Sequence, residues 1–262
     1  MCYAYDARPP LPPLAGGAAD SEDLVLTAAD GTRFAAFAAR ATSPGGPGIV
    51  VMPDVRGLFR FYEELALRFA EQGVSAVAID YFGRTAGVGK RDADFPFMEH
   101  IPRTTPAGIA QDVAAAVAYL RSAAGGACSA IFTVGFCFGG SASWLQAAEN
   151  HGLAGAIGFY GGPGPSMVDR SPGPLARLGE FKAPILALIA GADAYIPAEL
   201  NEEFRQAAEA ANPENEVVVY PGAPHSFFDR SFDEYKNECD DAWRRMLAFI
   251  QKHAAAATPA AD

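Results

Sequence analysis

The stretch Gly135-Phe136-Cys137-Phe138-Gly139-Gly140 directly follows the apolar run Ile131–Val134 and opens a helical pattern, Ser141 to Leu145. That is the strand–turn–helix setting of a nucleophile presented on a very tight turn, with cysteine in the reacting position. Such a turn strains the backbone of its central residue. Positions two residues to either side must be small, or they collide with the strand and the helix, and Gly135 and Gly139 meet that need. The turn exposes the thiol, and the helix N-terminus beneath it favours a thiolate. Most cysteines are small buried apolar residues. The flanking glycines set Cys137 apart, whereas Cys2, Cys128 and Cys239 lack that setting and read as inert thiols.

A thiol nucleophile needs a base, and the base needs an orienting acid. Asp193 ends Ile189-Ala190-Gly191-Ala192-Asp193, just past an apolar run. His225 lies in Pro221-Gly222-Ala223-Pro224-His225-Ser226-Phe227, after the run that ends at Tyr220. All three reactive positions follow strands. His100, His151 and His253 lie in a long loop, at a helix end and near the C-terminal tail, and read as surface histidines.

The elements that must position these residues alternate along the chain. Leu24–Thr27 and Phe34–Ala39 read as an early strand pair turning at Asp30-Gly31. Ile49–Met52, Val74–Ile79, Ile131–Val134, Ala156–Tyr160, Ile185–Ala190 and Val217–Tyr220 read as further strands. Helical stripes lie between them: Phe61, Leu65 and Phe69; Ile109, Val113, Val117 and Leu120; the segment after Gly139; residues 197–210; and a closing helix with Trp243, Met246, Leu247 and Ile250 inward. This order implies an α/β fold, a mostly parallel central sheet with helices on both faces. The early pair adds an antiparallel edge. In such sheets the chemistry gathers beyond the carboxyl ends of the strands, where Cys137, Asp193 and His225 all fall. Residues 1–20, rich in Pro, Ala and Gly, read as an irregular arm. Residues 21–253 form the single domain, and 254–262 read as a disordered tail.

Bulk composition excludes several functions. The 262 residues carry a net charge of −11, which argues against nucleic acid or an anionic membrane as partner. No apolar run is long enough to span a bilayer, and the N-terminus does not read as a secretory signal. The four cysteines form no CxxC pair, so the expected setting is cytoplasmic, with reduced thiols and neither disulfide nor zinc. Gly83 to Lys90 imitates a phosphate loop, but its glycine spacing is too long and Arg91 stands where Ser or Thr must hold magnesium. The glycines of 161–165 lie among prolines with no helix after them. No cofactor and no metal are expected.

With these residues in view, the chain resembles the dienelactone hydrolase family of the α/β-hydrolase superfamily. The order Cys, Asp, His is the chain order of that superfamily. The matching pieces are Gly135 to Gly140, Gly191-Ala192-Asp193 and Pro224-His225-Ser226-Phe227-Phe228. Met52-Pro53-Asp54-Val55-Arg56-Gly57-Leu58 and Asp80-Tyr81-Phe82-Gly83-Arg84 also match. The likeness spans about residues 49–249, and cysteine in the elbow makes it specific. The resemblance implies an α/β-hydrolase fold and cleavage of dienelactones in aromatic-compound degradation, or of a broader range of esters.

It also implies site roles. The backbone N–H groups of Val55 and Phe138 would form the oxyanion hole. Asp54 stands where the family has a glutamate that helps activate the cysteine, and it is one methylene shorter. Arg84 matches an arginine that binds the substrate carboxylate. Arg230 is the candidate for a second, its spacing after the histidine one residue longer than the pattern. Residues 87–106, with Phe95, Phe97, Met98 and Ile101, read either as an apolar lid over the site or as a surface loop.

The expected function is hydrolysis of a lactone or activated ester by Cys137, His225 and Asp193, with Asp54 assisting, through a thioester. The partner would be a small ester or lactone, acted on by a monomer or homodimer. A broad carboxylesterase or thioesterase is the nearest alternative. A ligand-binding or thiol redox-sensing protein is the alternative without turnover.

Overall fold

The computed structural model describes residues 3–14, 20–166 and 169–257. Eight strands form one sheet: β1 (Asp20–Thr27), β2 (Arg33–Arg40), β3 (Pro47–Met52), β4 (Ser75–Ile79), β5 (Ala130–Phe136), β6 (Gly155–Phe159), β7 (Ile185–Ala190) and β8 (Glu216–Tyr220). Their order across the sheet is β1-β2-β4-β3-β5-β6-β7-β8. β1 pairs antiparallel with β2, and β2 with β4. From β4 to β8 every pairing is parallel. The antiparallel edge and parallel centre match the sequence expectation.

β4, β5, β6 and β7 are buried at every residue, the mark of a parallel sheet covered on both faces. The period-two alternation of strand side chains divides the core. Ile49 and Val51 of β3 pack with Phe61, Leu65 and Phe69 of helix Arg60–Glu71, and with Met246, Phe249 and Ile250 of helix Lys236–Ala257. Val50 and Met52 face the other way, onto Ile109, Val113 and Val117 of helix Pro106–Arg121. Further along that face, Trp144 of helix Phe138–Gln146 and Phe204 of helix Ala198–Ala211 cover Ala187 and Ile189 of β7. Each core side chain so buried contributes about 1.5–3 kcal/mol.

Local signals set the helix ends. Thr105 caps Pro106–Arg121, its hydroxyl accepting from the Gly108 N–H at 3.1 Å, and Pro106 takes the first position, where no N–H is needed. The closing helix runs to Ala257, into the stretch read from the sequence as a disordered tail. Alanine has the highest helix propensity, so the Ala254 run extends the helix instead of fraying it. Residues 258–262 lie outside the described residues. The arm is irregular through residues 3–14, yet it is packed: Tyr3 and Ala7 are buried. Among the described residues no helix is long and apolar enough to cross a membrane.

Candidate active site

The parallel strands deliver the reactive residues to one edge of the sheet. β3 and β5 are neighbours, with Met52 opposite Gly135, so the loop Asp54–Leu58 runs beside the turn at Cys137. Cys137 has φ 57° and ψ −114°, a strained conformation for a side chain with a Cβ. Its N–H donates to the Phe159 carbonyl of β6 at 3.0 Å, and its carbonyl accepts from the N–H of Gly140 at 2.9 Å. Those bonds fix the turn and start the helix Phe138–Gln146. A Cβ at Gly135 would land on the Gly139 carbonyl, and one at Gly139 would land on the carbonyls of Met52 and Pro53. Only glycine permits these two approaches. Cys137 is half-buried, whereas Cys128 and Cys239 are buried thiols, and burial pushes both up, Cys239 to about 12. Cys2 lies outside the described residues.

The other two members come together through two backbone bonds between the loops after β7 and β8. The Gly191 N–H donates to the Tyr220 carbonyl at 2.8 Å, and the Ala192 N–H to the Ala223 carbonyl at 3.0 Å. Asp193 is thereby set against His225, with Oδ2 2.7 Å from Nδ1. The other carboxylate oxygen of Asp193 accepts from the N–H groups of Tyr195 and Ile196, so the carboxylate cannot swing. The imidazole packs between the rings of Tyr160 and Tyr195, at 4.9 and 5.2 Å. Its other nitrogen is left for the thiol, and the Cys137 and His225 side chains hydrogen-bond.

Burial pulls the His225 pKa down, but the hydrogen bonds that the ring donates to Asp193 and Cys137 and the negative charge on both outweigh it, and the imidazole is pushed up to about 9. A more basic imidazole beside a thiol favours transfer of the thiol proton to the ring. The arrangement can attack a carbonyl and donate a proton to the group that leaves. Among the described residues, the N–H groups of Val55 and Phe138 donate to no protein acceptor. One lies on the loop after β3, and the other opens the helix Phe138–Gln146.

Asp54, the glutamate counterpart, is fully buried. Its carboxylate is engaged by its own loop. It accepts from Nη2 of Arg56 at 2.6 Å, from Nε at 3.2 Å, and from the Arg56 N–H at 2.9 Å. The short side chain closes a ring with the Arg56 backbone and guanidinium.

The two arginines expected to bind a substrate carboxylate both make protein contacts. Arg84 bridges the turn after β1 to the helix Pro106–Arg121. It pairs with Asp30, with the Thr32 hydroxyl at 3.0 Å, and with buried Asp112 at 2.8 Å. In this structure it gives buried Asp112 its charged partner. Arg230 is exposed, and its N–H donates to the Arg8 carbonyl of the arm at 3.2 Å.

Several site residues escaped the sequence reading. Tyr160 follows β6 with φ 36° and contacts His225, and Tyr81 donates from its hydroxyl to the Pro53 carbonyl at 2.8 Å. Burial first, then the charges of Asp54, Asp80 and Cys137, raises the Tyr81 phenol, which keeps it a donor. The post-strand position of Tyr160 was a usable signal, since Cys137, Asp193 and His225 share it. Of the remaining histidines, His253 is buried against Phe249 at 4.4 Å and not on the surface.

The fold and the elbow define an α/β-hydrolase. Comparison with known proteins gives the narrower group: residues 34–254 match the model of the dienelactone hydrolase family. A relative from Escherichia coli strain K12 named carboxymethylenebutenolidase is 30% identical, covering 94% of each chain. A Bradyrhizobium relative named for lactonase action on 2-oxo-3-(5-oxofuran-2-ylidene)propanoate is 28% identical over 88% of this chain and 94% of its own. The crystal structure of a Klebsiella pneumoniae protein described as a dienelactone hydrolase superposes with a TM-score of 0.77 at 29% identity, covering 90% of this chain and 99% of that one. The chain belongs to the dienelactone hydrolase family and is a hydrolase of carboxylic ester or lactone bonds.

Proposed function

We propose that this enzyme opens lactones or activated esters through a thioester on Cys137. The observation that carries this reading is the relay itself: a half-buried thiol on a positive-φ turn, hydrogen-bonded to His225, whose Nδ1 lies 2.7 Å from Asp193. In the first half, the Cys137 thiolate attacks the carbonyl carbon. The negative charge moves to the carbonyl oxygen, against the N–H groups of Val55 and Phe138. The C–O bond to the alkoxide or enolate breaks, and the His225 imidazolium gives that oxygen its proton. In the second half, His225, now neutral, takes a proton from water. The hydroxide attacks the thioester, and the thiolate leaves to regenerate the ion pair. A thiolate is itself a good leaving group. The first half therefore runs forward only when the departing oxygen leaves at least as readily, as enolates and aryloxides do.

Hydrolysis of a dienelactone and of an aryl ester by wild type and Cys137→Ala tests the reading. Loss of both activities is expected, and unchanged rates in the variant would overturn it.

A broader esterase or thioesterase reading has one specific observation in its favour. Arg84 is engaged by Asp30 and Asp112, and the Arg230 N–H donates to the Arg8 carbonyl, contacts that compete with recognition of a substrate carboxylate. Similar kcat/KM for neutral and carboxylated lactones would favour that reading.

A further inference from the structure

Resting on the hydrolase reading, we propose that the cavity between the N-terminal arm and residues 92–97 binds a neutral aromatic ring of the substrate. The cavity measures about 220 Å³ and is lined by Tyr3 and Tyr5 of the arm, Arg56 of the oxyanion loop, and Asp92, Phe95 and Phe97 opposite. A dry cavity of roughly 150 Å³ already accepts benzene. Arg56, which lines the cavity, directly follows Val55 on the loop after β3.

Both walls are fastened to the machinery. On the arm side, Tyr3 stacks on Phe61 at 4.0 Å and hydrogen-bonds through its hydroxyl to that of Tyr160, whose ring packs on His225. Tyr5 stacks on Phe59 at 5.9 Å, and the Arg56 guanidinium lies 4.4 Å from the same Phe59 ring. On the far side, the Arg91 N–H donates to the Leu58 carbonyl at 2.9 Å. The Arg91 guanidinium donates to buried Asp80 at 2.8 Å and to the Gly87 carbonyl at 2.7 Å, and it lies 4.7 Å from the ring of Phe95. Asp80 also accepts from the Leu58 N–H at 3.3 Å. The segment read as lid or loop is thus tied to the oxyanion loop at its base.

Charge selects the ligand class. The Arg56 cation is matched by Asp54 at 2.6 Å, and Asp92 adds a negative charge at the rim. An anionic substituent would be repelled there, whereas a neutral ring finds aromatic faces and edges.

Two ester pairs with enolate or aryloxide leaving groups test the proposal: vinyl acetate against vinyl phenylacetate, and vinyl acetate against phenyl acetate. Each pair differs by a ring, on the acyl side in the first and the alcohol side in the second. Tyr5→Ala and Phe97→Ala, from opposite walls, should each lower kcat/KM for the ring-bearing member of one pair about fivefold, through KM. The ringless member should stay within about twofold, and Tyr5→Phe should behave as wild type. Equal losses on all esters, or none, would overturn the cavity while leaving the hydrolase reading intact. Wild type that cleaves no ester would defeat the hydrolase reading instead. The cavity is then decided without turnover, by titrating benzyl alcohol into the 15N-labelled protein. Shifts confined to amides of residues 3–5, 56 and 92–97, and lost in Tyr5→Ala, support it; their absence refutes it.

Discussion

Gly135 and Gly139 approach so closely that a Cβ on the first would occupy the place of the carbonyl oxygen of the second. This contact is what lets the chain reverse from β5 into the helix Phe138–Gln146 within two residues and hold Cys137 at φ 57°. Gly135→Ala is expected to cost about 3 kcal/mol, at the upper end for overpacking, because backbone and not a flexible side chain must give way. Cys137 should turn away from His225 as well. Urea unfolding combined with the rate of Cys137 alkylation checks both. A variant with wild-type stability and alkylation would show that the elbow does not depend on the glycines.

The raised pKa of His225 fixes the direction of a pH effect. The imidazole moves from its usual 6.5 to about 9, so it stays protonated beside a thiolate at neutral pH and loses that proton as pH rises through about 9. Alkylation of Cys137 by iodoacetamide should therefore stay fast well below the ordinary thiol pKa of about 8.5. In His225→Ala the alkylation limb should move up toward that value. kcat/KM for an enol ester such as vinyl acetate should fall above about pH 9, where the proton donor is gone. An alkylation limb identical in the two proteins would contradict the ion pair.

Arg84 makes a prediction about stability and not about substrate. Burial pushes the Asp112 carboxyl up to about 6, against the pull of Arg84. Its folded pKa lies above the unfolded value, so the stability linked to its protonation is present at low pH and lost as pH rises through about 6. Arg84→Met removes the opposing charge and moves that window upward. The variant should lose about 3 kcal/mol at pH 8 and recover part of it near pH 5, where Asp112 is protonated. Chemical denaturation at the two pH values reads this directly. A pH-independent loss would mean that the pair with Asp112 is not what Arg84 contributes.

The parts of the site legible in the sequence were those fixed by backbone geometry. The glycines around Cys137 encode a turn that tolerates nothing larger, and the loops after β7 and β8 place Asp193 and His225 because parallel neighbours share a direction. Side-chain destinations were not legible in the same way. Arg84 occupies the motif position of a substrate-binding arginine, but a long flexible cation goes to the nearest buried carboxylate, and Asp112 is 28 residues away in sequence. Asp54 was placed correctly at the end of β3, yet its partner, Arg56, depends on a ring closed within one loop. The arm read as irregular, which it is. That Tyr3 is buried beneath the site depends on contacts 157 residues apart, which no local pattern encodes. The closing helix was misjudged only at its end, where a run of alanines was taken for low complexity and not for helix propensity.

The central claim is covalent, and acid-quenched mass spectrometry tests it most directly. Wild type mixed with 4-nitrophenyl acetate and quenched within the first turnovers should carry one acetyl group, located by peptide mapping on Cys137. The adduct should accumulate in His225→Ala supplied with an activated thiol-reactive ester, since water activation is lost, and should be absent in Cys137→Ala. Turnover by wild type with the acetyl group on another residue, or undiminished hydrolysis by Cys137→Ala, would contradict the mechanism.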